Sequence, residues 1–193
     1  MTNLGLQLEE AARLLGEAGL GFAVVGGLAV SARTEPRFTR DVDLAVAAPD
    51  DNAVEKLILL AAQRGYRAFS LLEHDVAKRI ATVRLQSGSG ILDLLFASSG
   101  IEAEIVHDAE DMELLPGVRA SVARVPHLIA QKLLARDDRS RPQDIADLVR
   151  LRDVATPSDL DEARALVALI ESRGYNRKRP LGEHLDALLR AGH

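Results

Sequence analysis

Phe22-Ala-Val-Val-Gly-Gly-Leu-Ala-Val-Ser31, then Ala32-Arg-Thr-Glu-Pro-Arg-Phe-Thr-Arg40, then Asp41-Val-Asp-Leu-Ala-Val-Ala47 form the stretch on which the fold turns. An apolar run ends on the glycine pair Gly26-Gly27, a short helical segment follows, and a second apolar run opens on two aspartates. The pattern predicts a strand over Phe22–Val25, a helix over roughly Leu28–Arg33 and a strand over Val42–Ala47. Residues two apart on a strand project to the same face, so Asp41 and Asp43 stand side by side in this reading.

Two adjacent carboxylates repel each other unless a cation lies between them. Mg²⁺ suits the position, because it takes oxygen ligands and is bound through one or two carboxylates plus substrate phosphates. Glycine at 26 and 27 lets the backbone approach a ligand closely, and the N–H groups at the start of the following helix would face an anion. A phosphate at that helix end, beside a metal held by Asp41 and Asp43, is the arrangement needed to work on a nucleoside triphosphate. Arg33, Arg37 and Arg40 read either as phosphate ligands or as loop cations, and Arg40 is also placed to screen the two aspartates.

The block resembles the first motif of the nucleotidyltransferase fold superfamily, a Gly-Gly followed about a dozen residues later by Asp-hydrophobic-Asp. That resemblance implies a third carboxylate on a neighbouring strand, matched by Asp93 in Gly90-Ile-Leu-Asp-Leu-Leu-Phe-Ala97. The preceding run Arg79–Gln86 is joined to it by Ser87-Gly-Ser-Gly90, a composition suited to a hairpin, which puts Asp93 on a central antiparallel strand. Asp93 reads either as a metal ligand or as a partner of Arg84 across the hairpin. The metal reading is favoured, since a carboxylate among Ile91, Leu92, Leu94 and Leu95 is costly to bury alone.

Downstream, His127–Arg136 and Arg141–Leu151 resemble the helices of the AbiEii-type nucleotidyltransferases, toxins of toxin–antitoxin pairs. The likeness runs from about Phe22 to Leu151. It implies active-site roles for Lys132 and Asp144. Spacing alone leaves Lys132 equally readable as a surface lysine of an amphipathic helix, and Asp147 as a solvated or salt-bridged helix residue. The resemblance further implies Mg²⁺, as a pair of ions, with a nucleoside triphosphate as substrate. It also implies an RNA acceptor, tRNA above all, and a cognate antitoxin as partner. A small molecule or a protein hydroxyl is the alternative acceptor. A catalytically silent nucleotide- or partner-binding module is the alternative from another class, and the presence of all three carboxylates argues against it.

Composition agrees with one catalytic unit. At 193 residues and 47% hydrophobic, the chain can bury a sizeable core. A net charge of −5 gives no general attraction for nucleic acid. Arg173, Arg177, Lys178 and Arg179 form a local basic cluster, readable as a phosphate contact or as a solvated helix junction before Pro180, the latter being favoured. Aromatics make up only 3%, so no stacking platform for single strands is expected. Cysteine is absent, which excludes thiol chemistry, and the five histidines are scattered without metal-ligand spacing. The apolar runs are short and interrupted by charge, so a membrane span or signal peptide is not expected and a cytoplasmic protein is the default.

Periodicity supplies the remaining elements: a helix over Leu6–Ala18 stopped by Gly19–Gly21, and another from about Asp51 to Arg64. Phe69–Val76 is ambiguous, and Val118–Val125 reads as an edge strand. From Pro126 onward the chain reads as helical, with Pro126, Pro142 and Pro157 near helix starts and Thr156 as an N-cap. The expected fold is α/β (α+β), a mixed sheet with flanking helices. Residues 1–125 form its catalytic core, and residues 126–193 form a helical segment closing the nucleotide cleft.

Overall fold

The strand that carries Asp43 lies at the middle of the sheet, and the other elements are laid out around it. The computed structural model describes residues 3–36, 39, 41–136 and 142–191. The elements in order are α1 (Asn3–Glu17), β1 (Phe22–Val25), α2 (Gly26–Arg33), β2 (Val42–Val46), α3 (Asp51–Gln63), β3 (Arg67–Glu73), β4 (Ile80–Ser87) and β5 (Gly90–Leu95). They continue with α4 (Glu102–His107), β6 (Glu110–Leu115), β7 (Val118–Val122), α5 (Val125–Ala135), α6 (Pro142–Val154), α7 (Pro157–Ser172) and α8 (Leu181–Arg190). The sheet order is β3-β4-β5-β2-β1-β7-β6. Neighbouring strands are antiparallel except β2 with β5 and β1 with β7, which run parallel.

Burial explains why β1 and β2 read as continuous apolar runs. Ala23, Val24 and Val25 of β1 and Val42, Leu44, Ala45 and Val46 of β2 are all buried, because helices cover the sheet here. α1, α2 and α4 each pack against β2. Asp43 is the one polar residue of β2, and registration carries it into a row across four strands. Val25 pairs with Asp43, Asp43 with Asp93, and Asp93 with Arg84. α5 is the central helix of the C-terminal segment: it buries Leu128, Ile129, Ala130, Leu133 and Leu134 and packs against α2, α6, α7 and α8. Among the described residues, no helix is long and apolar enough to cross a membrane.

Several elements depart from the sequence reading. β5 is antiparallel to β4 as expected but parallel to β2, so Asp93 sits on a strand with one neighbour of each kind. The ambiguous Phe69–Val76 region overlaps β3, which begins at Arg67, an edge strand exposed on both sides, which is why its residues show no alternation. β7 is not an edge, because β6 pairs on its outer side through the turn Pro116-Gly117, with Gly117 at φ +77°. β6 escaped notice because Glu110-Asp-Met-Glu is acidic and poor in strand formers. At six residues, α4 is too short to show a helical period in the sequence.

Helix starts follow the chemistry expected of them. The Thr156 side chain accepts a hydrogen bond from the Asp159 backbone N–H at 3.2 Å, and the Asp159 carboxylate accepts one from the Thr156 backbone N–H at 2.9 Å. This reciprocal box fixes the start of α7. Thr156→Ala is expected to lower the stability of the chain by about 1 kcal/mol, read from the midpoint of a urea unfolding curve with an unchanged slope.

Candidate active site

β1 ends at Val25, and the chain must turn sharply to enter α2. Gly26 makes that turn at φ +63°, in the left-handed region that favours glycine. A Cβ at position 26 would stand 2.0 Å from Asp43 Oδ2, so only glycine lets the turn lie against that carboxylate. The Gly27 backbone N–H lies close enough to favour the charged form of Asp43.

Asp41, Asp43, Asp93, Gly26, Gly27 and Lys132 meet at one cavity of about 440 Å³, whose wall also includes Asp144. Desolvation pushes the Asp43 carboxyl up to about 6, and the charges of Asp93 and Asp41 add to that rise. Lys132 and the Gly27 N–H oppose it. The all-oxygen donor set and the energetic cost of its mutual repulsion fit a hard divalent cation.

Arg84 answers the charge of Asp93 directly. Its Nε donates to Oδ1 at 2.7 Å and its Nη2 to Oδ2 at 2.6 Å, a bidentate pair across the β4–β5 ladder. The guanidinium pKa is raised by this bond, with smaller contributions from Asp41 and Asp43. The cross-strand pairing weighed for Asp93 is thus present, and Asp93 nonetheless lines the cavity beside Asp43.

On the opposite wall, α5 and α6 hold a buried ion cluster. Lys132 Nζ donates to Asp144 Oδ1 at 2.7 Å and lies 2.9 Å from Asp147 Oδ2. Lys132 is not a surface lysine, since its side chain is 14% exposed. Asp147 is fully buried and ion-paired, which removes the solvated reading. Asp144 Oδ2 is buried without a hydrogen-bond partner.

Of the arginines considered near the glycine turn, Arg33 is structural. It donates from Nε to Ala123 O and from Nη2 to Val122 O, both at 3.0 Å, and pairs with Glu110 at 2.6 Å. Arg37, Arg40 and Arg141 lie outside the described residues. The C-terminal basic cluster divides by function. Arg173 bonds to Gly100 O and Glu104, Arg179 bonds to Leu134 O and Arg136 O, and Arg177 reaches the cavity wall beside Ser98. The sequence reading favoured a solvated junction for all four. Only the proximity of residues 98 and 177 in the fold singles out Arg177, and no local signal in the chain encodes it.

The family model described as "Nucleotidyl transferase AbiEii toxin, Type IV TA system" matches residues 12–192. No curated protein sequence matches the chain. The fold is similar to that of the antibiotic-resistance factor ANT(2'')-Ia, whose complex with adenylyl-2''-tobramycin aligns with TM-score 0.58 at 18% identity over 89% of this chain and 99% of that one. An antigenic nucleotidyltransferase-like protein from Paracoccidioides brasiliensis aligns with TM-score 0.53 at 18% identity, over 98% of this chain and 93% of that one. The turn at Gly26, the carboxylate row and the mixed sheet therefore sit in a nucleotidyltransferase fold, and the chain belongs to the AbiEii family of nucleotidyltransferase toxins of type IV toxin–antitoxin systems.

Proposed function

We propose that the chain is a Mg²⁺-dependent enzyme that transfers a nucleoside monophosphate from a nucleoside triphosphate to an acceptor hydroxyl, with RNA, and tRNA in particular, as the acceptor. The observation that carries this reading is the meeting of Asp41, Asp43 and Asp93 with the Gly26-Gly27 turn and Lys132 at one cavity. Asp41 and Asp43 would hold the metal with the triphosphate, and Asp93 would complete the set. A bound divalent ion supplies positive charge that draws the triphosphate and acceptor oxygens together. The Gly26-Gly27 backbone admits the phosphates, and Lys132 neutralises charge developing on the leaving pyrophosphate. Arg40, next in sequence to the aspartates, is proposed as a further phosphate contact.

The acceptor oxygen attacks the α-phosphorus, the bond from that phosphorus to the bridging oxygen breaks, and pyrophosphate leaves. Asp93 takes the acceptor proton. Each Asp93 oxygen accepts one bond from Arg84 and keeps a second lone pair, so the proton can arrive while the Arg84 pair stays in place. Residues 126–193 act as the helical segment that closes the cleft, with Asp144 holding Lys132 in place. The toxin character of the family supports an RNA acceptor, a cytoplasmic site of action and an antitoxin encoded alongside. ANT(2'')-Ia, solved in complex with adenylyl-2''-tobramycin, supports a small-molecule acceptor as the second reading.

Incubation with each labelled nucleoside triphosphate, Mg²⁺ and total tRNA is expected to label RNA with the native chain. Asp41→Asn, Asp43→Asn and Asp93→Asn are each expected to lose at least roughly a hundredfold in turnover. Label on the protein or on a small-molecule acceptor would replace RNA as the acceptor. Triphosphate bound with Mg²⁺ but not transferred would leave the metal site standing and the acceptor wrong, whereas neither binding nor transfer would favour the silent module.

The raised Asp43 carboxyl has a signed consequence. Without a divalent cation, the folded chain keeps a proton between about pH 4 and 6 that the unfolded chain has released, so stability falls as pH rises through that window. Metal binding needs the ionised form and competes with the proton. The acid limb of the pH–rate profile is expected near pH 6 at low Mg²⁺ and should move to lower pH as Mg²⁺ is raised. Profiles at two Mg²⁺ concentrations check this, and a limb that stays fixed would count against Asp43 as a ligand.

Lys132 carries a structural and a chemical role that can be separated. Lys132→Met removes the cation shared by the buried Asp144 and Asp147, while Asp147 keeps its longer pair with Arg150 at 3.7 Å, and is expected to cost about 3 kcal/mol of stability. Adding Asp144→Asn and Asp147→Asn should recover much of that stability in urea unfolding while turnover stays lost. Recovery of turnover along with stability would assign Lys132 a structural role only.

A further inference from the structure

A second cluster lies at the junction of α4, α5 and α7. The C-cap of α4 is Asp108, the first turn of α5 carries His127, and α7 carries Glu162. One ligand atom from each lies within 4.8 Å of the others. The sequence could not present these residues together, because 19 and 35 residues separate them along the chain.

His127 is the observation that makes this more than a salt-bridge cluster. Its side chain is fully buried, yet neither Nδ1 nor Nε2 has a hydrogen-bond partner. An imidazole in either tautomer offers one donor and one acceptor, and leaving both unmet in the interior costs about 1–3 kcal/mol for each group. Nε2 stands 3.4 Å from Asp108 Oδ2, long for a hydrogen bond. Two ligands each about 2.1 Å from one tetrahedral ion lie roughly 3.4 Å apart, so the spacing suits a shared metal. Burial lowers the His127 pKa, which keeps a nitrogen lone pair available.

The surrounding charge is favourable as well. Arg124 pairs with Glu162 at 2.9 Å and lies 3.7 Å from both Glu110 and Asp159, while Arg33 takes a second oxygen of Glu110. Glu110, Asp159 and Glu162 thus share two guanidinium groups, and Asp108, beside His127, adds a fourth carboxylate. The remaining negative charge matches a dication. Asp108 and Glu162 are 37% and 29% exposed at their side chains, which leaves a route for the ion from solvent to the buried imidazole.

We propose that His127, Asp108 and Glu162 form a binding site for a divalent transition ion, with zinc as the ion of choice, separate from the catalytic carboxylates. Imidazole with carboxylates favours such an ion over Mg²⁺, which takes oxygen ligands. Three protein ligands leave a fourth position for water. The ion ties α7 of the C-terminal segment to α4 through the first turn of α5, the helix that also carries Lys132.

The test uses the full chain carrying Asp41→Asn and Asp43→Asn, so that the catalytic carboxylates do not take up the probe. Titration with Co²⁺ is expected to develop the visible absorption of a low-coordinate site at one ion per chain, and one equivalent of Zn²⁺ should abolish it. Asp108→Asn and Glu162→Gln in that background, each at a partly exposed position, should weaken Co²⁺ binding at least roughly tenfold. His127→Gln should remove the imidazole contribution to the spectrum. If His127→Gln fails to fold, the two carboxylate variants still decide the matter. No stoichiometric Co²⁺ binding, or binding unaffected by both carboxylate variants, overturns the proposal.

Discussion

Asp43 sits where a carboxylate is most expensive: on the central strand of the sheet, registered beside Asp93 and pressed against the backbone of Gly26. Most of the local structure can be read as a response to that position. Gly26 has no side chain because a Cβ would overlap the Asp43 carboxylate, and its left-handed backbone turns the Gly27 N–H toward the same group. The turn and the carboxylate therefore constrain each other, and neither residue can change without disturbing the other. A sheet that registers the one charged residue of β2 beside the last residue of β1 also places it where α2 begins, so the site is made by topology as much as by sequence.

The remaining charges are compensated in two different ways. Arg84 lies on the same row of the sheet as Asp93, and its bidentate grip fixes that carboxylate from within the strand framework. Lys132 comes from a helix and is itself held by two buried aspartates one turn apart on α6. Its ammonium stabilises Asp43 through space without being released from Asp144 and Asp147. A buried ion cluster of this kind contributes modestly to stability, since desolvation offsets much of the attraction. What it gives the site is a cation fixed in position.

Local features of the chain were legible where the physics is local. The Gly26-Gly27 turn, β2, the β4–β5 hairpin and the Thr156 cap each rest on residues within a few positions of one another, and each formed as read. Pro116-Gly117 is an equally local turn signal, and it joins β6 to β7. β3 was unreadable for a different reason: an edge strand exposed on both faces has no buried side to impose alternation. Within the cavity, the aspartates and glycines were visible from spacing, whereas Lys132 and Asp144 came from resemblance. Arg177 and the His127 cluster depend on contacts between distant segments, and no periodicity encodes those.

The C-terminal segment illustrates why distance along the chain does not imply independence in the fold. Arg177 and Lys178 both hold positive φ, at +53° and +59°, a conformation that costs roughly 1–2 kcal/mol for each such residue. The turn persists because it is fixed from both sides: Asn176 Nδ2 donates to Arg179 O at 2.9 Å, and the Arg179 N–H donates to Asn176 O at 2.9 Å. Arg179 anchors the turn to the end of α5, while Arg173 and Tyr175 fasten the preceding residues to Gly100. The loop they fasten to is rigid in its own right, since Glu102 Oε1 accepts bonds from the Ser98 and Ser99 N–H groups and the Ser99 hydroxyl. Between these anchors the turn presents Arg177 to Ser98 at the rim of the carboxylate cavity. The last third of the chain is thereby tied to the loop after β5, the strand that carries Asp93, and the cavity wall is closed by contacts between distant parts of the sequence.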